Sequence, residues 1–167
     1  MHAQALAFYR RHLTDLPPLS VVEFGSCDIT GSVRSVYPQA ELWLGVDRQY
    51  GPCVDILADA AVWSTAERYD ICVIAEVFEH TPDWREILAT AHTVLTDGGL
   101  LLVSCATGYR PPHSAVDGGP LRSGEFYANV DPGDMKSTLT EQGWSEVEVT
   151  EADGYFGGDD LYVRAIR

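Results

Sequence analysis

Residues 69–104, YDICVIAEVFEHTPDWREILATAHTVLTDGGLLLVS, contain two apolar segments on either side of an amphipathic one. The outer segments, residues 69–75 and 100–104, are almost entirely apolar, as are strands that a parallel sheet buries on both faces. Between them, residues 82–95 carry apolar side chains at helical spacing, and a proline opens the segment, as suits a first helical turn. The order strand, helix, strand predicts a parallel β-α-β unit.

The same alternation continues on both sides of this unit. Short apolar runs predict further strands over residues 19–24, 41–47 and 54–57. Helical spacing and turn signals predict helices over residues 3–15, 31–37, 58–68 and 132–142. Residues 144–151 and 161–166 alternate in polarity and resemble a long antiparallel hairpin at a sheet edge. Together these segments predict one α/β domain, residues 1–167, with a mostly parallel sheet and helices on both of its faces.

Length and charge limit the classes of protein and partner. The 167 residues amount to one domain. The 11 basic and 25 acidic residues give a net charge of −14. Such a surface repels phosphate backbones, so a nucleic-acid partner is not expected. No apolar run approaches the ~20 residues of a membrane span, and the N-terminus lacks a signal-peptide pattern, so no membrane association is expected.

The four cysteines, Cys27, Cys53, Cys72 and Cys105, follow no zinc-binding spacing. Two of them lie in apolar runs. We therefore expect reduced, packed thiols in a cytoplasmic protein, with no metal. A metal site assembled from scattered cysteines is the alternative.

Acidic residues stand at or just after the ends of several predicted strands. Glu23 lies near the end of the first strand, and Asp47 ends the second. Asp59 follows the third strand and Glu76 follows the fourth. Ligands of open α/β sheets bind at the carboxyl ends of the strands, near the point where the strand order reverses. These positions therefore predict a ligand site with several carboxylates.

Four stretches of the chain resemble the class I S-adenosylmethionine-dependent methyltransferases. They are Val22-Glu-Phe-Gly-Ser26, Gly45-Val-Asp47, Asp70–His80 and Leu95–Val103. The last two, separated by an amphipathic helix, are the more specific pair. The resemblance covers roughly residues 19–151. It implies a Rossmann-like, seven-stranded sheet whose antiparallel strand comes from the C-terminal hairpin. It also implies S-adenosylmethionine as the cofactor, bound within residues 19–105.

The resemblance assigns cofactor contacts, and each has a physical reason. After the acid Glu23, Gly25 lets the backbone approach the methionine part of the cofactor, where a Cβ would collide. The Asp47 carboxylate suits two ribose hydroxyls, and Asp59 with the Ala60 amide occupies the place where the family contacts adenine. The implied cofactor residues are Glu23, Gly25, Ser26, Cys27, Asp28, Gly31, Asp47, Asp59, Ala60, Glu76 and Val77.

The glycine loop after the first strand departs from the family pattern. The family has two more glycines where this chain has Cys27 and Ile29. The difference implies a loop of another shape, with Thr30 or Ser32 supplying hydrogen bonds.

Several of these residues also have structural interpretations. Glu23 would be a solvated acid at a strand end, and Asp47 would cap a turn. Asp59 would be the N-cap of the helix predicted after it. His80 would have a structural role before its helix.

Residues 106–131 form a segment too long for a simple connector, and we expect it to cover the site as a lid that selects the acceptor. His113 is the candidate general base because imidazole titrates near neutral pH, with a solvated loop residue as the alternative. Arginines in the lid would orient an acceptor that carries a carboxylate or phosphate. The candidate acceptor-binding residues are Tyr109, Arg110, His80, Arg122 and Tyr127.

The expected reaction is methyl transfer by in-line displacement to a small or mobile acceptor, in which proximity and orientation provide most of the acceleration. The chain has little room for a separate acceptor domain, so a homodimer or a partner subunit is also considered. Two alternatives stay open. One is a methyltransferase-like partner subunit without catalysis, which the altered glycine loop favours. The other is a nicotinamide dehydrogenase, which the incomplete GxGxxG pattern opposes.

Overall fold

The sheet reverses its order at its centre, between its first and fourth strands. In the computed structural model, which describes residues 2–153 and 159–167, the strands lie in the order β3-β2-β1-β4-β5-β7-β6. The strands are β1 Ser20–Phe24, β2 Leu42–Asp47, β3 Ile56–Leu57, β4 Tyr69–Ala75, β5 Leu95–Thr107, β6 Ser145–Asp153 and β7 Asp159–Ile166. Neighbours from β3 to β5 pair in parallel, whereas β7 is antiparallel to both β5 and β6. This confirms the expected seven-stranded, Rossmann-like sheet. The strand order reverses between β1 and β4, which is where ligands of open α/β sheets bind.

Helices pack on both faces of this sheet. They are α1 Ala3–Leu13, α2 Trp84–Val94 and α3 Pro132–Glu141, with 3-10 helices at Val33–Val36 and Phe78–His80. Successive strand side chains point to opposite faces. Accordingly, Val21 of β1 belongs to the core that contains Leu13 of α1, and Val22 belongs to the core that contains Leu88 of α2. No helix in the described part of the chain has the length and apolar composition of a membrane span.

The helix predicted over residues 58–68 is wrong, because this segment forms turns. Its polar side chains bond the local backbone instead. The Asp59 carboxylate accepts a hydrogen bond from the Ala61 N–H at 3.0 Å, and the Thr65 hydroxyl accepts one from the Glu67 N–H at 3.1 Å. Bonds of this kind satisfy backbone groups outside a helix and so compete with helix formation.

Other elements were located correctly but differ in extent. The helix predicted over residues 31–37 is a 3-10 helix of four residues, capped by the Ser32 hydroxyl. Strand β5 begins at Leu95, five residues before the predicted start, and follows α2 directly. The expected hairpin of β6 and β7 is confirmed, from Ser145 opposite Ile166 to Asp153 opposite Asp159. Its glycine-rich turn falls on residues 154–158, outside the described residues.

All four cysteines are free thiols. Cys72 and Cys105 are fully buried in the core, as their apolar surroundings in the sequence predict. Burial raises the pKa of both thiols. Cys27 and Cys53 are half-buried and lie in the loops that follow β1 and β2.

Candidate functional site

A cavity of about 750 Å³ opens at the carboxyl ends of β1, β2 and β4, where the sheet order reverses. Its volume falls within the range of about 300–1,000 Å³ that is usual for small-molecule sites. The predicted cofactor residues that line it are Glu23, Gly25, Ser26, Cys27, Gly31, Asp47, Asp59, Ala60, Glu76 and Val77. His80, Arg110 and His113 also line the cavity, so the structure brings three strand ends and part of the lid together.

The loop after β1 is shaped by contacts within the protein. Gly25 has a φ of +74°, and a Cβ built on it would overlap the Val77 side chain. Asp28 does not line the cavity, because its carboxylate accepts a hydrogen bond from the Gly31 N–H at 2.7 Å and so holds the loop. The Ser26 hydroxyl lies in the cavity wall, is buried, and has no hydrogen-bond partner among the described residues. A ligand that reached this hydroxyl would supply the missing hydrogen bond.

Asp47, the last residue of β2, is fixed by two backbone hydrogen bonds. One carboxylate oxygen accepts from the Cys27 N–H at 2.9 Å, and the other accepts from the Gln49 N–H at 2.8 Å. The bond to Gln49 is the turn-capping contact considered from the sequence. Each carboxylate oxygen can accept a further hydrogen bond. Capping and ligand binding are therefore compatible at this residue.

Asp59 and Ala60 form the next part of the cavity wall. The Asp59 carboxylate caps a turn rather than a helix, and Nη1 of Arg48 lies 3.9 Å from its second oxygen. Arg48 also lines the cavity, a position that the sequence did not indicate. Ala60 is buried and packs against the core.

Glu23 is a buried acid that faces the cavity, so its interpretation as a solvated strand-end residue is wrong. It is 3% exposed, and its carboxylate accepts a hydrogen bond from the Trp43 indole N–H at 2.7 Å. Nε of Arg34 lies 3.7 Å away. Burial raises the pKa of Glu23 to about 7, and Trp43 and Arg34 offset this only in part.

Glu76 starts a buried ionic network beneath the cavity. Its backbone has a φ of +57°, an uncommon conformation for a residue with a side chain. One carboxylate oxygen accepts a hydrogen bond from the Ser104 hydroxyl at 2.7 Å, and the other lies 3.1 Å from Nη2 of Arg110. Arg110 also donates to the Asp160 carboxylate of β7.

Asp160 and His2 complete this network, and sequence reasoning missed both. Asp160 is fully buried, accepts a hydrogen bond from the Tyr162 hydroxyl at 2.9 Å, and lies 3.1 Å from Nε2 of His2. His2 lines the cavity just before α1. Both residues are far from the strand-end motifs in sequence, and only the antiparallel pairing of β7 with β5 brings Asp160 to Arg110.

Arg110 was expected to hold a carboxylate or phosphate of the acceptor. It is 6% exposed and already pairs with two carboxylates of the protein. The arginine therefore pairs with two carboxylates of the protein, Glu76 and Asp160, and its orientation toward them opposes the expected role in binding an anionic acceptor.

Three aromatic rings pack together on the lid side of the cavity, and two of them line it. His80 and His113 are 4.9 Å apart between ring centroids, and Tyr127 lies 5.4 Å from His80 and 5.0 Å from His113. Burial lowers the pKa of His80 to about 4, and the neighbouring His113 adds to this effect. Both imidazoles line the cavity, whereas Tyr127 packs behind them.

Two lid residues expected at the acceptor lie elsewhere. Tyr109 is 90% exposed and does not line the cavity. Arg122 does not line the cavity, and it pairs with Asp117, which does. The lid contributes Ser114 to the cavity wall, and the Ser114 hydroxyl donates to Glu125 at 2.7 Å. Loop residues cannot be placed from a periodic pattern, and this contact therefore had no sequence signal.

Comparisons with known proteins agree with this architecture. The sequence profile of the family described as a methyltransferase domain matches residues 45–148, more than half of the chain. No curated protein sequence is significantly similar to the chain.

Several solved methyltransferases are similar in structure. The 1,6-didemethyltoxoflavin-N1-methyltransferase of Burkholderia thailandensis, with S-adenosylhomocysteine bound, gives a TM-score of 0.74 at 16% identity over 99% of this chain and 77% of that one. The N-methyltransferase NodS of Bradyrhizobium japonicum, also with S-adenosylhomocysteine, gives 0.66 at 21% identity over 99% and 85%. The magnesium protoporphyrin IX methyltransferase of Synechocystis, with S-adenosylmethionine, gives 0.67 at 17% identity over 98% and 76%.

These structural similarities concern the fold, and the sequence profile concerns the family. Together with the strand order and the cavity at the reversal, they confirm the resemblance seen in the sequence. The chain belongs to the methyltransferase domain family and has the fold of the class I S-adenosylmethionine-dependent methyltransferases.

Proposed function

We propose that this chain binds S-adenosylmethionine in the cavity and transfers its methyl group to a small acceptor. The observation that supports this most is the Asp47 carboxylate, held at the end of β2 by two backbone N–H groups and facing the cavity. A fixed carboxylate is suited to bind the two neighbouring hydroxyls of a ribose.

The remaining walls fit the other parts of the cofactor. The buried Ser26 hydroxyl has no hydrogen-bond partner in the described part of the chain, and we assign it to the polar methionine end. The Gly25 turn keeps side chains out of the space beside Val77. Asp59 and Ala60 flank the position proposed for adenine, with the Asp59 carboxylate exposed enough to accept a hydrogen bond.

S-adenosylmethionine supplies a methyl group on a sulfonium, which leaves as a neutral sulfide when a lone pair of the acceptor attacks the methyl carbon. The protein's task is then to hold the acceptor in line with the breaking bond and to exclude water. The lid provides this wall, and its Asn129 side chain fastens it by donating to the Gly108 and Arg110 carbonyls at 3.0 and 3.1 Å.

The charges around the acceptor favour a neutral or cationic acceptor over an anionic one. In the described part of the chain, Arg110 and His2 both face Glu76 and Asp160, so the basic side chains of this network are directed at carboxylates of the protein rather than at a carboxylate or phosphate of an acceptor. His113 remains our candidate base for an acceptor that must lose a proton, since its ring faces the cavity.

The experiment is a turnover assay with S-adenosylmethionine and matched acceptors that present an amine, a hydroxyl or a carboxylate on the same small scaffold. We expect S-adenosylhomocysteine to form with a neutral or cationic acceptor, and we expect the carboxylate to be the poorest substrate. Preference for the carboxylate would contradict the assignment of Arg110.

A partner subunit without catalysis is the second candidate, and Cys27 and Ile29 in place of loop glycines favour it. It predicts a folded protein that shows no turnover until its partner is added. The cytoplasmic location, the single-domain division with its lid, and a homodimer or partner subunit stay predictions.

A further inference from the structure

The acceptor side of the cavity contains a group of possible metal ligands that methyl transfer does not require. Glu79 and His80 are neighbours in the 3-10 helix Phe78–His80, and His113 reaches them from the lid. One ligand atom from each residue lies within 4.8 Å of the others. No other such group of three occurs among residues 2–153 and 159–167.

The buried groups of this cluster lack the hydrogen bonds that burial normally demands. Glu79 is fully buried, and neither carboxylate oxygen completes a well-formed hydrogen bond with a described residue. Nδ1 of His80 and the hydroxyl of Tyr127 are also buried, and neither has a hydrogen-bond partner among the described residues. The unpartnered carboxylate oxygens of Glu79 and the ring nitrogen of His80 are acceptors that a cation would satisfy.

The His113 ring is oriented as a metal ligand would be. Its Nδ1 lies 3.2 Å from the Pro111 carbonyl oxygen. A carbonyl only accepts, so Nδ1 is the donor in this contact, and in the neutral ring with this tautomer Nε2 has the free lone pair. Metal-binding histidines almost always donate their second ring N–H to a carbonyl, a carboxylate or a water in this way.

We propose that Glu79, His80 and His113 bind one divalent transition-metal ion of the Zn²⁺ type. Two imidazoles and one carboxylate form a ligand set of catalytic zinc sites, whereas Mg²⁺ and Ca²⁺ prefer oxygen ligands throughout. Ligand atoms of a tetrahedral site are roughly 3.4 Å apart. Closure from 4.8 Å therefore requires only small rotations of side chains, one of them in the lid.

The site leaves one coordination position for a molecule in the cavity. Three protein ligands occupy three tetrahedral positions, and His80 and His113 both line the cavity. The fourth position therefore faces the space proposed for the acceptor, where a water, an oxygen or a nitrogen atom would bind. With the metal bound, His113 acts as a ligand and not as a general base, so the two roles are distinguishable.

The test uses the full chain without a histidine tag, treated with a chelator and titrated with Co²⁺ alone. We expect one equivalent to give visible absorption of a tetrahedral ion and Zn²⁺ to displace it. The variant H113Q should weaken binding at least tenfold. The matched control is H92Q, because His92 packs against Trp144 and belongs to no ligand group in the described residues. Circular dichroism melts verify that each variant is folded.

The result that overturns the inference is a folded wild-type protein that binds no Co²⁺, or equal binding by wild type and H113Q. A parallel titration with S-adenosylhomocysteine separates this outcome from failure of the proposed function. The variant D47A should lose the nucleoside ligand and retain the metal. If the wild type binds the metal but not S-adenosylhomocysteine, the metal site is supported and the methyl-transfer proposal is contradicted.

Discussion

Gly25 after β1 and Val77 after β4 are in contact across the reversal of the sheet, so closely that a Cβ on Gly25 would overlap Cγ2 of Val77. The contact joins the two loops that form the floor of the cavity. Gly25 also has a φ of +74°, which strains any other residue. The glycine is therefore required by the protein itself, in addition to any approach of a ligand.

The variant G25A should lower the free energy of unfolding by about 2–4 kcal/mol, because the left-handed backbone and the overlap each add a cost. G98A is the matched control, since Gly98 has a φ of +78° and no atom of the described residues lies within 4 Å of its Cβ position. We expect G98A to show only the backbone cost of about 1 kcal/mol. Urea denaturation gives both values. Equal effects of the two variants would contradict the contact with Val77.

Replacement of Val77 by alanine should relieve the overlap. The double variant G25A/V77A is then more stable than the sum of the single changes predicts, since residues in contact are not additive. Simple additivity in the same denaturation experiment would mean that the two side chains do not share this space.

The buried pair of Arg110 and Asp160 gives a second stability prediction. R110M leaves Asp160 and Glu76 without their cation in a buried site and should cost about 3–5 kcal/mol. R122M is the control, because Arg122 and its partner Asp117 are both about half exposed. Exposed pairs of this kind contribute little, so its thermal midpoint should match that of the wild type. A wild-type midpoint for R110M would contradict the buried network.

The ionisation of Glu23 should make the stability of the protein depend on pH. Its pKa rises from 4.5 in the unfolded chain to about 7 in the native state, mainly through burial. The native state thus holds this proton more tightly, and the carboxyl destabilises the fold increasingly as the pH rises from 4.5 through 7. E23Q removes this penalty and keeps an acceptor for Trp43.

We therefore expect E23Q to be as stable as the wild type near pH 4.5 and more stable above pH 7, by up to about 3 kcal/mol. Denaturation at both pH values measures the difference. The exposed acid Asp15 supplies the control D15N, which should leave the pH profile unchanged. A difference between E23Q and the wild type that is the same at pH 5 and pH 8 would contradict the shifted pKa of Glu23.

The sequence predicted the structure correctly where the same pattern of residue types recurs along the chain. Continuous apolar strands on either side of an amphipathic helix identified β4, α2 and β5, because burial on both sheet faces favours near-continuous apolar runs. Acidic residues at strand ends identified Asp47 and Glu76, because parallel strands bring their carboxyl ends to one edge.

The sequence was not informative where local side-chain hydrogen bonds determine the conformation of a segment, or where residues distant in sequence come into contact. The segment 58–68 has helix-compatible residues, but the Asp59 and Thr65 side chains accept hydrogen bonds from the backbone N–H groups two residues further along the chain. The meeting of His2, Arg110 and Asp160 depends on where α1, the lid and β7 pack. No spacing along the chain encodes that arrangement.

The most direct test of the account is a calorimetric titration of the purified chain with S-adenosylmethionine and S-adenosylhomocysteine, repeated with D47A and with the exposed-acid control D15A. We predict micromolar binding of both ligands by the wild type and by D15A, and loss of at least tenfold in affinity for D47A. A folded wild-type chain that binds neither ligand, or a D47A variant that binds as the wild type does, would contradict the assignment of the cavity as the cofactor site.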